Sequence, residues 1–549
     1  MKRWCNRWRQ PQSMVGVYNA LILGGSLLGV AFVLPEGWFL SLGALLPVLW
    51  ALQKARRWQQ VFRWSYLAFF FYHGVANWWI GSWQVEADPF LRLSGVLVWL
   101  VHPLFFTLPW LGWWALHRRW GTSLALWSLP LLWIAFEWLH SLGDLGYPWL
   151  ALGNLWLPWL AGVQMADIGG VWLVSGWIVL LNVLLWKVVS AAIRGQWRRS
   201  GWFLLGWGVA ILLPASYGAY RLETFAHHSG KQLTVAIVQP NINPWRKWET
   251  LKPWQNIQRH IQLLDSALRT FLRQPDLTIW SETAIPFWIT WQRYRTEFFR
   301  LRRWVDSTGI AVLTGFPDLV FYQAPPTPGA RKLQGSNLWY ETFNAVLLLQ
   351  PGAADYQTYH KIRLTPFAEH VPYAEVLSFL QDWIQWGVGI SSWAKGRRQN
   401  ILWLRTRHND TLRLGAVICI ESIFPRFVAG FVRKGAEALV IITNDGWFSG
   451  TPGPYQHFEI ARMRAIETRR VVLRCANTGI SGIIAPSGEV VAQIPDGKQG
   501  VLVQSVVLST GTSLYLRWGD WVAYGSLVIV GGMLIGGFRR RRFKEGARG

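Results

Sequence analysis

The stretch LRLGAVICIE, residues 412–421, decides how the chain is read: an apolar, β-branched run ends on a thiol, Cys419, and a carboxylate, Glu421, follows two residues later. Five other runs share its character: QLTVAIVQ (232–239), DLTIWSE (276–282), IAVLTGF (310–316), FNAVLLLQ (343–350) and EALVIITND (437–445). Amphipathic helical stretches separate them, which is the pattern of an α/β unit whose strands are largely buried. The unit runs from about 231 to 515. Pro, Gly, Gln, Lys and Arg collect near 320–337 and 384–400, and both segments are expected to be mobile surface loops. No repeat of 20–50 residues and no low-complexity tract interrupts the pattern.

Outside that unit the composition changes. Residues 1–220 hold apolar runs near 15–34, 37–53, 63–82, 91–117, 121–140, 160–186 and 201–219, most close to the roughly 20 residues that a spanning helix needs. One more, about 521–538, precedes a basic tail, 539–549. The expectation is a polytopic α-helical membrane domain of about 8 spans, with the α/β unit inserted before the last. Lys54, Arg56, Arg57, Arg63, Arg118, Arg119, Lys187, Arg194, Arg198 and Arg199 fall on loops of one side, together with the N-terminus and Arg539–Arg542. Loops around Glu36, Glu86 with Asp88, and Asp144 carry almost no cation, so the positive-inside rule puts them, and the insert, outside the cytoplasm, with both termini inside. The opening MKRWCNRWRQ has the charge of a signal peptide, but no small-residue cleavage site follows, so a retained anchor is expected.

A 549-residue chain with 52% hydrophobic residues fits that division. Its formal charge of +25 lies mostly in cytoplasmic loops, tail and scattered helices without a recognised nucleic-acid module, so nucleic acid is not an expected partner. The 3 cysteines, Cys5, Cys419 and Cys475, form neither a zinc pattern nor a disulfide framework. Much of the total of 41 tryptophans lies in or beside the spans, as interfacial belts would place it, with core packing for the rest.

Three polar residues stand at or just after apolar strands: Glu282 in IWSETAIP, Lys361 in YHKIRLTPFAEHVPY and Cys419 in GAVICIESIFP. Singly, the thiol reads as a buried structural cysteine and the charges as solvated strand ends. Together they supply a nucleophile, a carboxylate base and a fixed cation, which is what acyl transfer through a thioester requires. Cys475, in LRCANTG, has no such partners in its own string and reads as structural. Gln456 and His457 of QHFEIARMR open a helix without ligands at zinc spacing, so no metal is expected.

The three strings resemble the nitrilase superfamily, with its Glu-Lys-Cys triad in this chain order. The spans on both sides, with VQPNINPWRKW, LTPFAEHVPY, NDGWFSGTPGPYQHFEIARMRAIETRR and NTGISGIIAPSGE, are similar to the apolipoprotein N-acyltransferase family over nearly the whole chain. The resemblance implies a nitrilase-like α-β-β-α sandwich at 231–515, Cys419 as nucleophile, Glu282 as proton acceptor and Lys361 as oxyanion stabiliser, with no cofactor. It further implies that Glu369 and Glu421 are carboxylates beside the site and that Trp248 belongs to a mobile loop over its mouth. Glu421 has a second reading as a rim charge, and Trp248 as an interface tryptophan. In the family an aromatic residue often follows the nucleophile; Ile420 departs from that.

The activity implied is transfer of an acyl chain from a membrane phospholipid, by way of a thioester, to the α-amino group of a lipoprotein's N-terminal diacylglyceryl-cysteine, at the external face of a bacterial inner membrane. The stretch Trp245, Arg246, Lys247, Trp248, Lys252 and Trp254 reads as an interfacial segment suited to lipid phosphates. The alternative enzyme is a membrane-tethered amidase of nitrilase type with water as acceptor. A transporter is disfavoured because Glu137 is the main ionisable residue within the spans, and an inactive scaffold because all three chemical residues are present.

Overall fold

The computed structural model describes residues 14–82, 84, 89–225, 230–245, 253–271, 273–327, 329–366, 368–370, 372–373 and 393–546. Five helices in it are long and apolar enough to cross a membrane: Met14–Val33, Leu91–Trp120, Thr122–His140, Ala166–Ile193 and Trp197–Thr224. Gly37–Leu52 and Trp521–Gly536 are shorter apolar helices. An aromatic-rich helix, Trp58–Ala76, packs among them. Gly25 and Gly29 sit where Met14–Val33 crosses it: a Cβ on Gly25 would stand 1.9 Å from the Ala68 carbonyl oxygen, and one on Gly29 2.6 Å from the Val75 side chain. Small residues one turn apart let two backbones meet in this way. Tryptophan does more core packing than the interfacial reading gives it, since Trp79, Trp110, Trp113, Trp133, Trp156 and Trp172 are fully buried.

The α/β region has thirteen strands among the described residues. β1 (Gln232–Gln239), β2 (Leu277–Trp280), β3 (Ala311–Tyr322), β4 (Arg331–Lys332), β5 (Trp339–Leu349) and β6 (Gln357–His360) belong to one sheet, and β7 (Ile401–Arg405), β8 (Thr411–Ile418), β9 (Ala438–Thr443), β10 (Val471–Ala476), β11 (Ser481–Ile484) and β12 (Val490–Ile494) to another. β13 (Gly500–Val507) returns to the first sheet, whose order is β13-β1-β2-β3-β5-β4 with β6 also on β5. The second runs β12-β11-β10-β9-β8-β7.

Alternation along β1 shows the layering. Leu233, Val235 and Ile237 join a core with Leu414, Ala416, Ile418 and Val440 of the facing sheet, whereas Ala236 and Val238 pack under the Pro253–Leu268 and Arg295–Thr308 helices. Helices Pro425–Arg433 and Pro452–Thr468 cover the second sheet. The result is the α-β-β-α sandwich that the sequence implied.

The sandwich and the helical half share a core. Ile420, Ile423, Phe424, Ile460, Met463 and Ile466 cluster with residues of the helical half. Ala166–Ile193 is broken at Gly169 and Gly170 (φ +70°), and the freed N–H of Val171 donates to Glu467 Oε1 at 2.8 Å, so the sandwich caps a helix of the other half. Asp167 accepts from Arg469 across the same seam at 2.6 Å and from Arg221 of its own half at 3.0 Å. Of the two expected loops, 320–337 is mostly loop, with only its first three residues in β3 and residues 331–332 in β4, whereas within 384–400 the described part, 393–400, is tied down: Trp393 N–H donates to Glu369 O (3.1 Å), Ala394 N–H to Thr342 O (2.8 Å) and Gly396 N–H to Lys361 O (2.7 Å).

Candidate active site

Strand β8 ends at Ile418, and the next residue, Cys419, turns left-handed (φ +49°) to open a 3-10 turn, Cys419–Ile423. A non-glycine residue in that region is strained and is held there by its surroundings. Burial, and then the Glu282 carboxylate, push the Cys419 thiol well above its ordinary range against the pull of the Lys361 ammonium, so the group rests as a thiol.

Glu282 stands two residues after the end of β2. Its backbone is pressed against Gly315 of β3, where a Cβ would lie 2.7 Å from the Glu282 Cα and 2.5 Å from the Thr283 nitrogen. Lys361 follows β6 and is buried, with Nζ at 3.1 Å from Glu282 Oε1 and 2.9 Å from Glu369 Oε1. Burial alone would drive its proton off; Glu282 and Glu369 outweigh that and hold the ammonium above the usual lysine range. Glu369 feels burial the other way, but Lys361, Thr365 N–H and Asn344 overcome it and keep the carboxylate below its usual range. Asn344 Nδ2 donates to the same two oxygens, Glu282 Oε1 at 2.7 Å and Glu369 Oε1 at 3.0 Å. Two carboxylates are thus bridged twice, once by a cation and once by an amide. FNAVLLLQ marked Asn344 only as part of a strand; a lone polar residue on an otherwise apolar buried strand was the signal available.

Glu282, Lys361, Glu369 and Cys419 line one cavity of about 490 Å³. Trp393 and Lys395 line it too, although their segment read as a surface loop. The other wall is Leu97, Val98, Val101, His102 and Phe105 of the apolar Pro89–Phe105 helix, of which Leu97 and Val101 are 46% and 42% exposed. The cavity therefore lies between the thiol and an exposed apolar helix.

Glu421 stands elsewhere. Because the chain leaves the strand at Ile418, its carboxylate folds back into the core: Oε1 accepts from Tyr359 Oη (2.7 Å), Ile362 N–H (2.6 Å) and Arg363 N–H (3.1 Å), and Oε2 from Ile418 N–H (2.9 Å). It is not a rim charge. It ties the nucleophile's turn to the segment that carries Lys361 and does not line the cavity. Ile420 lines the cavity. Trp248, Arg246, Lys247, Lys252 and Cys5 lie outside the described residues. Cys475 is buried in β10, its thiol 3.3 Å from the carbonyl oxygens of Val238 and Ile279. Glu137 accepts from Trp133 Nε1 and Leu152 N–H, both at 2.8 Å, as a structural carboxylate would. Among the described residues no three His, Cys, Asp or Glu side chains converge as metal ligands.

Two family models divide the chain along the same seam. The apolipoprotein N-acyltransferase N-terminal domain matches residues 24–184, and the carbon-nitrogen hydrolase domain matches residues 234–515. Relatives agree over both. An apolipoprotein N-acyltransferase of Chlorobaculum tepidum is 34% identical over 95% of this chain and 96% of its own. That of Azotobacter vinelandii is 30% identical over 100% and 98%, and that of Geobacter metallireducens 31% over 77% and 75%. A helical half with membrane-length helices, a carbon-nitrogen hydrolase sandwich fused to it and relatives similar from end to end lead to one conclusion: the chain belongs to the apolipoprotein N-acyltransferase family.

Proposed function

We propose that Cys419 carries an acyl chain between two lipid substrates, with Glu282 as proton carrier and Lys361 as oxyanion stabiliser. As the thiol attacks the ester carbonyl of a phospholipid, Glu282 takes its proton, and the tetrahedral oxyanion forms beside the Lys361 ammonium. Collapse breaks the C–O bond; the departing glycerol oxygen receives the proton from Glu282 and leaves as a lysophospholipid. In the second half, the α-amine of a diacylglyceryl-cysteine attacks the thioester, Glu282 takes a proton from the nitrogen, and the Cys419 sulfur leaves and is reprotonated. A resting thiol suits this sequence, because deprotonation is then coupled to attack.

The observation that carries the reading is the Lys361 ammonium fixed between Glu282 and Glu369 in the same cavity as Cys419, with that cavity walled by the exposed apolar residues Leu97 and Val101. An acyl donor held in a bilayer can meet the thiol from there without leaving the lipid, and two anchored substrates are oriented before they react. For topology we take about eight spans, the basic loops and both termini cytoplasmic, and the sandwich external, in a bacterial inner membrane; the loop charges support this. Glu369 completes the cage of Lys361, and Glu421 braces the turn. The test is intact mass after incubation with phospholipid vesicles. Wild type should gain one hydroxylamine-sensitive acyl group, and Cys419→Ala none. A wild type that stays unacylated while hydrolysing small amides would establish the tethered amidase in its place.

A further inference from the structure

Four buried side chains form a line behind the Cys419 turn. Arg474 NH2 donates to Asp445 Oδ2 at 2.6 Å, and Asp445 Oδ1 accepts from His457 Nδ1 at 2.9 Å and from Thr443 Oγ1 at 2.8 Å. Burial opposes ionisation of Asp445, but the facing His457 and Arg474 outweigh it and hold its carboxyl at about 2. An ionised carboxylate only accepts, so His457 Nδ1 carries a proton and points its other nitrogen forward. Burial lowers the imidazole below its ordinary value, so it keeps that single proton and Nε2 is left as an acceptor. The Ser422 hydroxyl is then the donor between them: its Oγ lies 2.8 Å from Nε2 and 2.7 Å from the Cys419 carbonyl oxygen, and Nε2 stands 3.2 Å from that carbonyl. His457 is 2% exposed and Ser422 fully buried, and the Trp149 ring packs on the imidazole at 5.0 Å.

We propose that His457, anchored by Asp445 and Arg474, is a positioning residue: it seats the Ser422 hydroxyl that donates to the Cys419 carbonyl and thereby aims the Ile420 N–H as an oxyanion donor. In a trans peptide the carbonyl of one residue and the N–H of the next point in opposite directions, so holding the first sets the second. The left-handed Cys419 makes such a restraint necessary, since a strained turn relaxes unless its neighbours over-determine it. A buried histidine that merely satisfied its own hydrogen bonds would not need to end on the nucleophile's backbone. The proposal rests on the thioester reading above.

The test separates a step that builds an oxyanion from one that does not. Full-length His457→Ala and Ser422→Ala are compared with wild type in single-turnover thioester formation from phospholipid vesicles, and in alkylation of Cys419 by iodoacetamide, mapped to that residue by peptide mass. Alkylation displaces iodide at a saturated carbon and passes through no oxyanion. His457→Ala should form thioester about 10²-fold more slowly, the scale of one lost oxyanion donor, while alkylation changes less than about threefold. Ser422→Ala, which removes the donor itself, should show the same split at least as strongly, and it carries the test if His457→Ala does not fold. Equal losses in both reactions, or no loss in either, would overturn the assignment. A wild type that forms no thioester would instead overturn the acyl-transfer reading, and this proposal with it.

Discussion

Asn344 shows how much one neutral side chain can contribute at a charged site. Its amide bridges Glu282 and Glu369 beside Lys361, so Asn344→Ala removes a hydrogen bond to each carboxylate, at a cost of about 1–3 kcal/mol. The expected result is a loss of roughly 10- to 100-fold in kcat/KM for vesicle phospholipid, carried mainly by kcat. Asn344→Asp should be worse, because it sets a third carboxylate against the two. A KM effect with kcat unchanged would show that Asn344 only binds substrate. Asp445 predicts a pH dependence. Its carboxyl is depressed from 3.8 to about 2, so its contribution to stability is complete above the unfolded value and is lost as pH falls through the folded one. The stability gap between wild type and Asp445→Asn should be level above about pH 5 and close by about 2 kcal/mol towards pH 2. Thermal unfolding across that range measures it, and a pH-independent gap would contradict it. The sequence carried Cys419 and Glu282 plainly, because each follows an apolar strand; Lys361 follows the polar strand Gln357–His360 and was legible only through the resemblance of its string. It did not carry Asn344 or His457, whose partners are brought to them from 62 and 38 residues away.

Among the helices, the crossing of Met14–Val33 with Trp58–Ala76 depends on the absence of a side chain. Gly25→Val would drive a β-branched group into the Ala68 carbonyl, so the helices must separate, at a cost of about 1–3 kcal/mol or more. Gly201→Ala is the matched control, since a Cβ there meets nothing within 4 Å. The first should lower the unfolding temperature in detergent and the second leave it unchanged; equal shifts would refute the crossing. Hydropathy located the helices well and their ends less well. Ala166–Ile193 starts at a glycine kink that depends on Glu467, almost three hundred residues later, and no local pattern announces such a cap.

At the scale of the molecule, the chain reads in sequence as two parts joined by tethers, yet the parts are built as one body. Ile423, Phe424, Ile460, Met463 and Ile466 belong to the sandwich by sequence and to the helical core by packing. Residues 230–512 expressed alone should therefore expose that patch, lose the Arg469–Asp167 ion pair, and come out aggregated or detergent-dependent. A monodisperse, detergent-free sandwich would show that the shared core is dispensable. Alternating strands and apolar spans revealed both halves. The seam was hidden because the Pro452–Thr468 helix is buried nearly all round, and periodicity cannot say which neighbour covers which side.

Gln456 gives that seam a further meaning. It accepts from Trp149 Nε1 and donates to the carbonyls of Phe32 and Ala76, so one side chain just before His457 reads the backbone of two helices from the opposite half. Such a contact limits recombination. A hybrid gene that joins the first 225 codons of one relative to the remainder of another would inherit every catalytic group intact and still misplace the imidazole if those two helices sat differently. The two halves are therefore expected to have been inherited as a matched pair, with exchange between lineages succeeding only where this lock is preserved.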